Sequence, residues 1–411
     1  MAKNFTILLI IVSITVLIGS CSNLQNIQRN VVKETRQSKG QSRGFLIKPN
    51  GKYGVGYKDF FFTDNKHCPD IVYSKNPNMT YQYFQKNNFK HCHQIVTRVY
   101  YPTEIKDGVS DYYPIVTNAI QNELKHYSKI NSFKDNLNSE DIKQLNGIKS
   151  FTTKDAKLAL GKFPVILFTP RYGRQVQMYE NFITSLVSNG YIVVGINSPF
   201  ISPNIMMSNN SIAPFIYDYK NIDNPEKFFN SLKTIVYPTI TNDTEFVYSK
   251  IKNKDIDNDL SNAIESNNIG AFGDVFGGRR IITATLQGKI SPKAIVGLNL
   301  QGSPKLNTSA ASKIPVLNIN FIFSGRGIDV SHFKVGSKDI LIFFTSGATE
   351  FDDSLTLKNT NAFKSIIKKM PMPNVPELKS FLLYGNGSEI TNSINTYVLQ
   401  FFDMHLKSLQ K

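Results

Sequence analysis

Asn268-Ile269-Gly270-Ala271-Phe272-Gly273-Asp274-Val275-Phe276-Gly277-Gly278-Arg279-Arg280 is an apolar run that breaks into glycines, and Ile281-Ile282-Thr283-Ala284 takes the apolar character up again. The pattern predicts a strand, a sharp turn and a helix. Gly273 and Gly277 flank Val275 with the spacing of a nucleophile elbow, G-x-S-x-G, in which small residues let the chain turn tightly enough to lift one side chain above a sheet. Here the lifted side chain is valine, which has no group to attack with.

Outward from the turn, short apolar runs alternate with helical periodicity. Phe163-Pro164-Val165-Ile166-Leu167-Phe168-Thr169-Pro170 and Tyr191-Ile192-Val193-Val194-Gly195-Ile196 read as strands buried on both faces of a parallel sheet. Between them Tyr179, Phe182, Ile183, Leu186 and Val187 fall at helical spacing, and Asn189-Gly190 is a stop signal. Further strands are expected at 294–298, 316–321 and 340–344, and Ile394, Val398, Phe401, Phe402 and Leu406 space an amphipathic closing helix. Upstream, Gln94-Ile95-Val96-Thr97-Arg98-Val99-Tyr100-Tyr101-Pro102 is an early strand ended by proline, and 104–160 reads as an irregular excursion. Residues 199–225 have no clear period and look like a loop or cap, and 226–265 are helical or mixed. The fold class implied is α/β: a mostly parallel central sheet with helices on both faces and a cap or insertion near 199–265.

The chain opens Met1-Ala2-Lys3-Asn4 and runs uncharged and mostly apolar from Phe5 to Ile18 before Gly19-Ser20-Cys21. A stretch of about 14 residues is short for a bilayer span, which needs roughly 20, and suits an export signal. Ile18-Gly19-Ser20-Cys21 resembles the lipobox of bacterial lipoproteins, which implies cleavage before Cys21 and lipidation of its thiol. By the same resemblance Ser22 implies the outer membrane, on the periplasmic side. The organisation expected is a signal peptide over 1–20, a flexible polar tether over 21–44, and one globular domain over 45–411. Removing residues 1–20 takes away Lys3 alone of 47 basic and 31 acidic residues, lowering the net charge from +16 to +15. A positive surface attracts anionic partners, and this address favours phospholipid headgroups or acidic glycolipids over nucleic acid. A chain rich in Lys, Asn and Ile, with no dense basic run, also accounts for the charge by composition alone.

Cys21 goes to the anchor, leaving Cys68 and Cys92. An oxidising compartment reads the pair as a disulfide. His67, His91 and His93 beside the thiols suggest a metal site instead, but the spacing matches no standard zinc pattern. Free thiols are the remaining alternative. No metal site and no cofactor is expected.

The chain resembles the α/β-hydrolase fold, and more narrowly the platelet-activating-factor acetylhydrolase family of serine esterases. The likeness rests on Gly51-Lys52-Tyr53-Gly54-Val55-Gly56 with Asp59, on Arg98–Pro102, Phe163–Phe168 and Asn189–Val194, on the elbow, and on Ser346-Gly347-Ala348-Thr349. It implies a serine nucleophile, a histidine base and a carboxylate that orients the histidine. Position by position, Val275 stands where the serine belongs, Asn299 where the carboxylate belongs and Glu350 where the histidine belongs. The oxyanion segment reads Phe168-Thr169-Pro170-Arg171, with Pro170 lacking an N–H and Arg171 replacing a glycine.

Other residues invite a rescue of the chemistry. Asp274 is an elbow aspartate that could form an ester intermediate, but it sits one position early. Asp329 with Ser331 and His332 reads as a solvated loop, and His405 as a packing or surface residue. Glu350 with Asp352 and Asp353 reads as a solvated acidic turn, with cation binding as the alternative. The functional expectation is a membrane-tethered, catalytically degenerate esterase-like protein that binds a lipid, an acyl ester or a partner. The alternatives are an active carboxylic-ester or phospholipid acyl hydrolase with an unconventional site, or a purely structural envelope protein.

Overall fold

Apolar runs bounded by turn signals become strands with both faces covered. The computed structural model describes residues 46–65, 93–112, 143, 147–203, 205–208, 210, 212–213, 226, 229–230, 232–300, 313–322, 340–345, 352–357, 364 and 386–407. The principal strands are β1 (Gly54–Asp64), β2 (His93–Thr103), β3 (Phe163–Thr169), β4 (Ile192–Asn197), β5 (Ile264–Asp274), β6 (Ile295–Leu298), β7 (Val316–Ile322) and β8 (Ile340–Thr345). They lie in one sheet in the order β8-β7-β6-β5-β3-β4-β2-β1, with the two-residue strand Thr153–Lys154 beyond β1. β2 runs antiparallel to both β1 and β4, and the other neighbours pair in parallel. The chain passes from β3 to β4 on one side and returns to β5 on the other side of β3. Open α/β sheets form their binding crevice at the carboxyl ends of strands where the order reverses in this way.

Helices cover both faces. Ile166, Phe168 and Phe272 join one core with Phe182 and Ile183 of α1 (Glu180–Ser188), while Val165, Leu167 and Ala271 join the other. That second core holds Val247 of α2 (Tyr237–Lys252), Leu260 of α3 (Asn258–Ala263) and Ile281 of α4 (Phe276–Leu286). The split follows from strand geometry, since successive side chains point to opposite faces. The last helix, α5 (Gly387–Leu406), buries Ile394, Val398, Phe401, Phe402 and Leu406 on the α1 side, and Asn386 caps it by accepting from the Ser388 and Glu389 N–H groups. Phe168 and Phe272, both fully buried, meet edge to face at 5.2 Å and lock β3 to β5. Burial of each such ring contributes about 2 kcal/mol.

Three segments differ from the sequence expectation in extent. β1 was legible only through the resemblance, yet it is an 11-residue strand paired with β2 from Gly54↔Thr103 to Asp64↔His93. Its middle residues are half-buried or exposed without clean alternation, which removes the period that would announce it. Within 104–160, Ser110–Asp111 pairs with Lys149–Ser150, and Thr153–Lys154 extends the main sheet. The stretch 199–265 divides into two parts. Ile205–Met206 and Ile212–Ala213 form a separate ribbon, whereas α2 and α3 lie on the sheet itself because Val247, Ile251, Leu260 and Ala263 bury into its core. No helix among the described residues is long and apolar enough to cross a membrane. The expected signal peptide and tether, Cys21, Cys68, Cys92, His67, His91, Asp329, Ser331, His332 and Glu350 lie outside the described residues.

Candidate functional site

The site is built where β5 turns into α4. Val275 is held at φ 42° and ψ −103°, between the last strand residue, Asp274, and the first helical residue, Phe276. Its N–H donates to the Leu298 carbonyl at 2.8 Å, and its carbonyl accepts from the Arg279 N–H at 2.9 Å. The flanking glycines are required by space. A Cβ on Gly273 would lie 2.5 Å from the Gly278 nitrogen, and one on Gly277 would lie 2.2 Å from the Thr169 carbonyl oxygen. The turn of a nucleophile elbow is therefore present, with a half-buried valine at its tip.

Asn299 occupies the equivalent place on the neighbouring strand. Asp274 pairs with Leu298 across β5 and β6, so Val275 and Asn299 are the next residues on each side. The Asn299 N–H donates to Ile319 of β7 at 2.8 Å. Val275 and Asn299, which the resemblance matches to a nucleophile and a carboxylate, thus sit adjacent at the carboxyl edge of the sheet.

Asp274, the other polar candidate at the elbow, is buried. Its side chain is 1% exposed and accepts a 2.7 Å hydrogen bond from the Tyr179 hydroxyl. Burial pushes the Tyr179 hydroxyl well above the usual phenol range, Asp274 and Asp352 push it further, and Arg171 opposes them. Arg171 is therefore part of the electrostatic setting of this buried aspartate. An oxyanion hole needs N–H donors. Pro170 cannot donate, and the carbonyl oxygens of Thr169 and Pro170 are what press against Gly277. Thr169, Pro170 and Arg171 face Ser198, Ile201 and Ile240 across a space of about 10 Å³, room for no more than one water.

Asp352 and Asp353 after β8 are buried, which corrects, for these two residues, the expectation of a solvated acidic turn. Asp352 accepts from Arg174 Nε at 2.7 Å. Asp353 accepts from the backbone N–H groups of Glu180 and Asn181 at 2.8 and 3.0 Å, from Asn181 Nδ2 at 2.8 Å and from the Tyr112 hydroxyl at 2.9 Å. It caps the start of α1, and protein hydrogen bonds thus engage both carboxylates. Burial raises the Asp353 carboxyl well above the usual carboxylate range, against the hydrogen bond from the Asn181 backbone. Among the described residues no group of three or more His, Cys, Asp or Glu is placed to hold a metal ion.

Sequence reasoning missed a buried cluster of Ser198, Asp243 and His93. His93 Nε2 lies 2.6 Å from one Asp243 oxygen, and Ser198 Oγ donates to the other at 2.5 Å. The aspartate stands between serine and histidine, so the imidazole is not placed to take the serine proton, and the order of a catalytic triad is not met. His93 was grouped with the cysteines by its neighbourhood in sequence. Nothing in the sequence links positions 93, 198 and 243. His405 packs edge-on against Phe401 at 4.7 Å.

Beside the elbow, Phe276 stacks on Tyr237 at 5.6 Å, and Tyr172 meets Phe276 edge-on at 6.5 Å. Arg279 and Arg280 follow on the same helix. The sequence matches no protein-family model. A comparison with curated proteins likewise gives no match. Among solved structures, the chain is similar to a ferulic acid esterase from Streptomyces cinnamoneus, with a TM-score of 0.61 and 14% sequence identity over 90% of this chain and 95% of that one. Topology, elbow and this likeness agree: the chain has an α/β-hydrolase fold.

Proposed function

We propose that this protein is a catalytically degenerate member of the esterase-type hydrolases, similar to the platelet-activating-factor acetylhydrolases, that binds a lipid or acyl-ester ligand without turning it over. In this reading it is a bacterial lipoprotein, lipidated on Cys21 and held at the outer membrane facing the periplasm. Each acyl methylene buried in the bilayer adds about 0.8 kcal/mol, so the anchor needs no help from the fold. The observation that carries the loss of chemistry is the elbow itself, where a strained backbone is kept and a valine occupies its tip. Two further features support it. Asp274 is taken up by Tyr179, and Pro170 has no N–H to contribute to an oxyanion hole.

The test is turnover of short-chain acyl esters and an acetylated phospholipid by the full-length protein in nonionic detergent. The reading expects no turnover above the uncatalysed rate, while labelled palmitate enters the wild-type chain and not Cys21→Ser. Turnover well above background would instead favour an active carboxylic-ester hydrolase with an unconventional site.

A further inference from the structure

Arg279 and Arg280 are adjacent, half-buried cations, and neither has a carboxylate partner among the described residues. Other arginines of the molecule are treated differently. Arg98 grips Asp59 through two bonds of 2.6 and 2.7 Å, and Arg174 holds Asp352 at 2.7 Å. At 279 and 280 the Nε atoms are shut off from solvent without an acceptor. Burial lowers the pKa of both guanidinium groups, and Arg280 lowers that of Arg279 further. Two cations that lose hydration and repel one another are costly unless an anion joins them.

What holds the guanidinium groups in place is aromatic. Arg280 Cζ lies 4.4 Å from the Tyr237 ring centroid and Arg279 Cζ 5.5 Å from that of Phe276, while the two rings stack on each other. The attraction between cation and ring face offsets part of the desolvation and fixes the planes of both forks. Pre-oriented forks suit oxyanions that accept two bonds at once. Tyr172, Tyr237 and Phe276 also pack against a buried apolar cluster that includes Ile201 and Ile240, which anchors the rings beneath the charge.

We propose that Arg279 and Arg280, set on Tyr237 and Phe276 beside the elbow, form a binding subsite for a phosphoryl group. The chemistry is shared by free phosphate and by the headgroup of a phospholipid. The inference deepens the proposed lipid-binding function and rests on it only for the second source. An anion bridging the two forks cancels their repulsion and supplies acceptors to donors that lack them.

The test is calorimetric titration of the full-length protein in nonionic detergent with inorganic phosphate and, separately, with a short-chain phosphatidic acid below its micelle concentration. Wild type binds one or both. The Arg279→Gln, Arg280→Gln double variant weakens that binding by more than about tenfold. Arg280→Lys keeps the charge but loses the fork, and gives an intermediate loss with an unchanged Tm. Tighter binding of the lipid assigns the site to a headgroup, and equal binding assigns it to phosphate itself. The proposal is overturned if wild type binds neither probe, or if both variants bind as wild type does. Ester turnover measured on the same preparations reports separately on the proposed loss of catalysis.

Discussion

Val275 and Asn299 stand side by side, one residue past the paired ends of β5 and β6, and both hold a positive φ, 42° and 53° respectively. Asparagine enters that region readily, but for a β-branched residue it is a true outlier. Strain of this kind costs about 1–3 kcal/mol and persists only where the surroundings over-determine the backbone. Here they do, through the Val275 hydrogen bond to Leu298 and the close approach of Gly273 to Gly278 and of Gly277 to the loop after β3. The turn brings α4 back over the sheet, so the fold needs it whether or not a nucleophile sits there.

Replacing Val275 by glycine removes the strained side chain while leaving the turn intact. The expected outcome is a gain of about 1 kcal/mol in urea unfolding. A loss of stability would mean that the valine's packing, and not its backbone, dominates this position. On the proposed reading, Val275→Ser is expected to show no turnover of short-chain esters, because Asn299 and Pro170 still lack the carboxylate and the N–H that a serine would need.

Gly277→Ala and Gly288→Ala separate space from conformation. At Gly277 an added Cβ meets the Thr169 carbonyl at 2.2 Å, and backbone has to move. At Gly288 φ is +70° but nothing lies within 4 Å. The first change should cost more than about 2 kcal/mol and the second about 1 kcal/mol by chemical denaturation. Equal costs would show that the elbow is not packed as tightly as the geometry requires.

The sheet was legible because Val165, Ile166, Leu167 and Phe168, or Ile192, Val193 and Val194, have one physical reading when bounded by turn signals. The elbow was legible because three glycines at fixed spacing answer a steric demand. β1 was not, since Phe60, Phe61 and Phe62 are alike in sequence although only Phe60 and Phe62 are half-buried against the core, so no period of two shows. The capping role of Asp353 was also hidden: its partners at Tyr112, Glu180 and Asn181 are brought together only by the fold. A carboxylate beside a loop reads as solvated until the element packed over it is known. The stacking of Arg279 and Arg280 on Phe276 and Tyr237 likewise needs α2 on the sheet face, where the sequence suggested a cap or mixed region.

Glu180 and Asp353 predict an unusual response to pH. Burial is the largest cause of the raised pKa in both, and the Glu180 charge also raises that of Asp353. A carboxyl whose folded pKa exceeds its unfolded value binds its proton more tightly when folded. Its contribution is therefore full below the unfolded pKa and is lost as pH rises through the folded one. Stability should fall as pH rises above the ordinary carboxylate range, with a slope that approaches about 1.4 kcal/mol per pH step of one for each carboxyl still protonated in the folded chain. Glu180→Gln should flatten the slope in urea unfolding. A profile that rises over the same range would contradict the assignment.

Arg174 and Asp352 tie the segment 352–357 to the loop that follows β3. Asp352 is 2% exposed and Arg174 13%, so the pair is largely dehydrated. Removing one partner from such a pair leaves a buried charge uncompensated, at about 3–5 kcal/mol, whereas replacing both by apolar residues of similar size is close to neutral. Asp352→Ala should therefore destabilise the protein by about 3 kcal/mol or more, and Arg174→Met with Asp352→Leu by much less. A double-mutant cycle measured by chemical denaturation reads the difference. If the single and double variants lose equal stability, the ion pair is not what holds the loop, and the hydrogen bonds of Asp353 to the start of α1 must carry that load alone.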